Sequence, residues 1–271
     1  MLKEAAPLSS VWVKTLADII VNGHPVAPRG QRTLEIPQHT VLVDMLHPVL
    51  LVKERKLQYR FMAAEAHWIL SGDNRVETIA PFNRNISRFS DNGQTFDGAY
   101  GPRIQAQLDY VVEKLLEDPD TRQAVMTIWT PNPEPSKDIP CTVAFSFMVR
   151  GSKLNVHGFM RSSDAWLGLP YDAFNFSMLG ALVCDSLNQR RTDKLSPGTL
   201  FLTLASSHLY EQHWADAEKI VDQSFWNSYS DPVPSNYYEG LGLTLYLLDG
   251  LKHTTPGHQA RWWEAKDASV S

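Results

Sequence analysis

Ile139-Pro140-Cys141, followed by Arg161-Ser162-Ser163-Asp164-Ala165-Trp166-Leu167-Gly168-Leu169-Pro170-Tyr171-Asp172, is the stretch on which the reading of this chain turns. It joins a thiol able to act as a nucleophile to groups suited to holding an anion and reading a heterocyclic base. An isolated cysteine at the head of an apolar run is ordinarily a buried structural residue. A cation and hydrogen-bond donors a short distance along the chain reverse that expectation, because a thiolate needs such neighbours to form and attack. The combination suggests chemistry on a nucleotide.

Composition sets outer bounds. The 271 residues are 43% hydrophobic and 20% charged, enough to bury a full core. The formal charge of −5 argues against a surface built to coat nucleic acid, which would collect Lys and Arg against phosphates. A small anion held by a few arginines remains compatible. Cys141 and Cys184 show no disulfide framework and no CxxC metal spacing, so no metal is expected and a reducing cytoplasm is the expected setting. No run of about 18 apolar residues suggests a membrane span.

Outward from the central stretch, periodicity gives a coarse map. Cys141–Val149 and Lys153–Arg161 read as strands, as does Gln123–Thr130. Phe174–Leu187 reads as a nearly all-apolar helix, and Thr199–Ala205 as a strand running into Ser206-Ser207-His208-Leu209-Tyr210, with a helix over Glu211–Val221. Toward the N-terminus, a helix over Val11–Val21 would bury Val11, Leu16, Ile19 and Ile20 and stop at Asn22-Gly23. A loop carries Arg29 and Arg32, short strands or extended pieces are expected at Thr40–Met45 and Val49–Val52, broken by His47-Pro48, and a helix over Leu57–Ser71 is closed by Gly72. The polar segment Asn74–Phe96 reads as a long loop or lid, and Ile104–Leu116 as a helix. Helices and strands without a regular βαβ period favour one α+β domain, with a polar tail after Gly257 that carries Trp262 and Trp263.

The wording of several segments resembles the thymidylate synthase family: Pro140-Cys141, the Arg161–Asp172 run, His208-Leu209-Tyr210, and Glu65-Ala66-His67-Trp68 through Gly72-Asp73. Similarity extends over about residues 15–250 and is loosest at the N-terminus. It implies a mixed β-sheet with helices packed on it, a homodimer formed through that sheet, and 5,10-methylenetetrahydrofolate as cofactor. Cys141 would add to C6 of a pyrimidine, with Glu65 organising water and protons. Arg161, Ser162 and an N-terminal-loop arginine, Arg29 or alternatively Arg32, would hold the nucleotide phosphate. The family's paired arginines, donated by the other subunit, survive as Arg122 alone, next to Gln123. His208 and Tyr210 would hold the sugar hydroxyl, and their i, i+2 spacing places both on one strand face. Asp164, Gly168 and Tyr100 match residues around the folate.

One letter departs at a decisive place: Asp172 stands where the family carries Asn. An amide answers the uracil edge with one donor and one acceptor. Cytosine offers an amino donor and a ring acceptor, which a protonated carboxyl complements. Asp172 therefore points to dCMP, provided burial keeps its proton. Ile86 and Phe89 stand where the family has shielding tryptophans, Met160 and Thr142 replace its Gln and His, and Glu264–Ser271 lacks its closing segment. Less shielding favours capture by water. The resemblance is therefore to enzymes that hydroxymethylate dCMP for modified DNA precursors, as bacteriophages do. The readings left open are a dCMP 5-methyltransferase, a CMP or dUMP hydroxymethylase, and a non-catalytic nucleotide- or RNA-binding relative.

Overall fold

The computed structural model describes residues 4–131 and 133–226, with side chains given as far as Asp222. The expectations for Trp262, Trp263 and Glu264–Ser271 lie outside the described residues. Six helices and seven strands are described: α1 (Leu8–Asn22), β1 (His24–Val26), β2 (Thr33–Asp44), α2 (Tyr59–Leu70), α3 (Val76–Ile79), α4 (Tyr100–Glu117), β3 (Val125–Thr127), β4 (Thr142–Arg150), β5 (Lys153–Met160), β6 (Ser163–Asp164), α5 (Leu169–Asn188), β7 (Ser196–Tyr210) and α6 (Trp214–Trp226).

The strands form one mixed sheet in the order β1-β2-β7-β5-β4-β3, with β6 also pairing β7. The β5–β7 and β6–β7 pairings are parallel and the rest antiparallel. Because β5 ends at Met160 opposite Leu204 and β6 resumes at Ser163 opposite Ser207, the chain leaves the β7 ladder only for Arg161 and Ser162. Those two side chains are thereby released beside the strand that carries His208.

Alternate residues Phe145, Phe147 and Val149 of β4, Leu154 and Val156 of β5, and Leu200, Leu202 and Leu204 of β7 are buried on one face. Helix α5 lies across them: the rings of Phe145 and Phe176 meet at 4.7 Å, edge to face. It is buried nearly all round, which explains its continuous apolar composition. Helix α1 buries Leu8, Trp12, Leu16 and Ile19, so the stripe begins a turn earlier than periodicity suggested, and Val11 and Ile20 are only partly covered. Where α2 meets α4, a Cβ on Gly101 would stand 2.8 Å from the Asp73 carbonyl oxygen, so only glycine admits this approach.

Several boundaries move. Strand β2 starts at Thr33, seven residues before the expected Thr40, because its polar residues Glu35, Gln38 and Thr40 mask the alternation while β7 pairs residues 33–37 and, past Gln38, 39–44. Of the two readings of Val49–Val52, strand or extended piece, the strand is not formed: the segment carries no regular secondary structure, Val52 has extended dihedrals, and Val49, Leu50 and Val52 are buried in the core. The lid segment contains α3 and a 3-10 turn over Arg84–Phe89, anchored by buried Val76, Ile79 and Phe96. Helix α4 begins at Tyr100 and α5 at Leu169, with Pro170 in the first turn, where its missing N–H is harmless. These last two shifts matter, since they seat Tyr100 and Asp172 at helix N-termini and not in loops.

Candidate active site

Cys141 immediately precedes β4 and is partly exposed. Arg161 folds back over it: the guanidinium donates to the carbonyl oxygens of Pro140 at 2.8 Å and Ile139 at 2.9 Å, and lies 3.8 Å from Sγ. The Arg161 amide also donates to the Cys141 carbonyl at 2.9 Å, so β5 and the head of β4 close a small ring around the thiol. Burial pushes the thiol pKa up, and the neighbouring carboxylates Asp172 and Asp138 add to it. Arg161 and, from further off, Arg29 act against that rise. Replacing Arg161 by Gln should therefore slow alkylation of Cys141 by iodoacetamide at neutral pH roughly 3- to 10-fold, the loss of one nearby cation in a partly wet site. An unchanged alkylation rate at matched pH would remove Arg161 from thiol activation.

Asp172 sits in the first turn of α5 with its amide donating to the Gly168 carbonyl at 3.0 Å. Its carboxyl is held well above the usual carboxylate range by burial first, then by the charges of Glu65 and Asp164. A helix N-terminus favours the anion by about 0.3 to 1 kcal/mol and works in the opposite direction. Burial together with two nearby carboxylates outweighs it. Gly168 leaves room beside it, since a Cβ there would stand 3.3 Å from Asp172 Oδ2, a tight approach.

Glu65, on α2, accepts from Asn175 Nδ2 at 2.8 Å, and burial raises it to about 7. The Tyr100 hydroxyl accepts from the Thr142 amide at 3.2 Å. Its pKa is raised by burial and by Asp172 and Cys141, which puts all three in one electrostatic unit. Cys141, Tyr100, Asp172 and Glu65 thus gather from four separate segments.

His208, 8% exposed, stands beside Asp164 across the β6–β7 pairing, its ring 5.3 Å from that of Tyr210 on the same face. Burial lowers its pKa, favouring the neutral ring. Asp164 folds its own loop, Oδ1 accepting from the amides of Trp166 at 2.8 Å and Leu167 at 2.9 Å. The N-terminal loop turns at Arg29 with φ 54°, and Arg29 acts electrostatically on both Cys141 and His208. Arg32 instead pairs with Glu211 and lies over the Trp214 ring.

Arg122 is exposed and not gathered with these groups: the neighbouring Ala124 carbonyl takes the Phe147 amide and Asp120 faces Arg150, toward the end of β4 away from Cys141. Ile86 is partly buried against the core within the 84–89 turn. Two contributors were not anticipated from sequence. Asn175 follows Asp172 by three positions, hence on the same helical face, and was hidden in an apolar run. Asp138 accepts from the Gly98 amide at 2.7 Å, bracing the approach to Pro140 against the approach to Tyr100.

Residues 10–229 match the thymidylate synthase family. A similar protein is the deoxyuridylate hydroxymethyltransferase of Bacillus phage SP01, 33% identical over 183 residues, or 59% of this chain and 47% of that protein. The chain therefore aligns with about half the length of that relative. With the match spanning most of the chain and the clustered cysteine, arginine, aspartate and histidine falling inside it, this protein belongs to the thymidylate synthase family.

Proposed function

We propose that the protein transfers a one-carbon unit to C5 of dCMP and releases 5-hydroxymethyl-dCMP. The observation that carries this reading is the placement of the Asp172 carboxyl in the first turn of α5, beside Tyr100 and the Cys141 thiol, where burial and the charges of Glu65 and Asp164 favour its protonated form. A carboxyl that keeps its proton donates to N3 of cytosine and accepts from its amino group. The same group supplies a hydrogen bond to N3 as Cys141 bonds to C6 and electron density shifts toward C5. Reading and catalysis then share one side chain.

The remaining roles follow from position. Arg161 and Ser162, released between β5 and β6, hold the phosphate together with Arg29, and a planar guanidinium suits that task. His208 and Tyr210 hold the deoxyribose hydroxyl. 5,10-Methylenetetrahydrofolate supplies the carbon when bound. Asp164, with Oδ1 committed to its own loop, has its second carboxylate oxygen to offer a pterin N–H, and Gly168, Tyr100 and Ile86 complete that side. With a proton affinity near neutrality, Glu65 can take a proton from water as the hydroxyl is added at the new carbon, after which the Cys141–C6 bond breaks.

The chain would act as a homodimer joined by the outer sheet face, where Val125 and Phe159 remain 37% and 40% exposed and His157 packs against Phe159 and Phe201. Arg122, toward one end of that sheet, would be donated to the partner's phosphate. The whole 1–271 chain would form one catalytic domain working in a reducing cytoplasm.

The name of the phage relative favours a second reading, hydroxymethylation of dUMP. It supports the hydroxymethyl outcome while leaving the base to Asp172. Weighing the nucleotide after incubation with dCMP and methylenetetrahydrofolate tests the proposal: a gain of CH2O is expected. A gain of CH2 would make the enzyme a methyltransferase, and no gain on dCMP with CH2O on dUMP would overturn the base assignment.

A further inference from the structure

We propose that Asn175 is the positioning residue for Glu65, its amide presenting N–H to the carboxylate and turning its carbonyl to the carboxylic acid when Glu65 gains a proton. Asn175 is 3% exposed, on the face of α5 that also carries Asp172. Nδ2 donates to Glu65 Oε2 at 2.8 Å, while Oδ1 is buried without a hydrogen-bond partner among the described residues. An orphaned buried carbonyl is uncommon and calls for a cause. Here the cause is a partner that exists only part of the time. When Glu65 is a carboxylate it can only accept, and the N–H is the useful half of the amide; when it is an acid it has a proton to donate, and the carbonyl becomes the useful half. The terminal torsion of asparagine is broad and roughly two-fold, so the exchange needs rotation about one bond and no movement of α5.

The setting makes such a device useful. Glu65 acts on Asp172 and Tyr171, both on α5, Asp164 acts on Asp172 as well, and Asp172 in turn acts on Tyr100 at the head of α4 and on Cys141 before β4. Among the described residues the Asn175 amide is what draws Glu65 down, against burial, leaving it at about 7. Asn175 thereby keeps both protonation states of Glu65 accessible at neutral pH, as a group that first takes and then returns a proton requires.

The inference rests on Glu65 being the proton-handling group of the proposed reaction, but its test needs no nucleotide. The titration of Glu65 is followed by carbon-13 NMR of glutamate-labelled protein, the resonance assigned by its loss in Glu65→Gln. A midpoint near 7 is expected for the unsubstituted protein, displaced upward by about one pH unit or more in Asn175→Leu, where the hydrogen bond to the charged form is gone. Asn175→Ser, retaining a hydroxyl that can donate or accept, should fall between. In the unsubstituted protein the Asn175 side-chain NH2 resonances should move with the same midpoint, which keeps the test available if the leucine variant does not fold. An unmoved Glu65 midpoint in Asn175→Leu, or NH2 resonances flat across that range, overturns the proposal. Failure of the dCMP product test would leave this titration standing, so the two ideas fail separately.

Discussion

Cys141→Ser is expected to lower release of tritium from C5 of labelled dCMP by three orders of magnitude or more, while the folded protein persists. C5 loses its hydrogen only after C6 has gained a nucleophile, and a serine hydroxyl, far less acidic than a thiol, presents almost no anion at neutral pH. The Arg161 guanidinium, which contacts Sγ at 3.8 Å, stabilises a thiolate but cannot make an alkoxide at neutral pH. The substitution is nearly isosteric and leaves the anchors from Arg161 to Ile139 and Pro140 untouched, so the thermal transition should move little. Tritium release that survives at a tenth of the original rate would show that another group attacks C6. Release absent from the unsubstituted protein as well would favour the non-catalytic reading.

Asp172→Asn should shift the ratio of kcat/KM for dCMP over dUMP toward dUMP by about 10²- to 10⁴-fold. A site built to hydrogen-bond one polar edge rejects the other because buried groups are left unpaired, at about 1 to 3 kcal/mol for each mismatch. Steric change is small, since the amide fills the space that Gly168 leaves for the carboxyl. The same substitution carries a signature in stability. Asp172 has its folded pKa raised, so its favourable contribution is complete only below the ordinary carboxylate range and is lost as pH climbs through the folded value. Above the ordinary carboxylate range the folded protein resists an ionisation that the unfolded chain undergoes freely, and an amide removes that penalty. Asp172→Asn is therefore expected to be more stable than the parent at pH 7, with the gap closing in acid. An unchanged dCMP to dUMP ratio would refute the reading role even if the stability gain appeared.

The sequence was most informative where a motif and a strand coincided. The His208-Tyr210 spacing predicted two side chains on one face, and the β7 ladder delivers that because period-two alternation is local. Boundaries were least legible where tertiary partners decide them. Strand β2 runs through polar residues because β7 pairs it on both sides of an interruption at Gln38, and Val49–Val52, apolar enough for a strand, finds no strand to pair with. Asp172 stood out by its letter alone, yet its place in the first turn of α5 was not legible, and of the two carboxylates that raise it Asp164 lies in the same motif whereas Glu65 comes from α2, more than a hundred positions away. Asn175 escaped notice for a similar reason: nothing in its own neighbourhood marks it, and its importance comes from Glu65, 110 positions away in the chain. Arg29 and Arg32 could not be separated by spacing, whereas Glu211 and Trp214 engage Arg32 and it is Arg29 whose charge acts on Cys141 and His208.

The central claim is that a carboxyl retaining its proton selects the aminopyrimidine beside the cysteine. Its most direct test is tritium release from C5 of dCMP and of dUMP by the unsubstituted protein, measured in parallel near neutral pH. Faster release from dCMP, declining as the pH is raised and Asp172 ionises, is the predicted result. Faster release from dUMP, or a dCMP rate that does not fall toward alkaline pH, would contradict it.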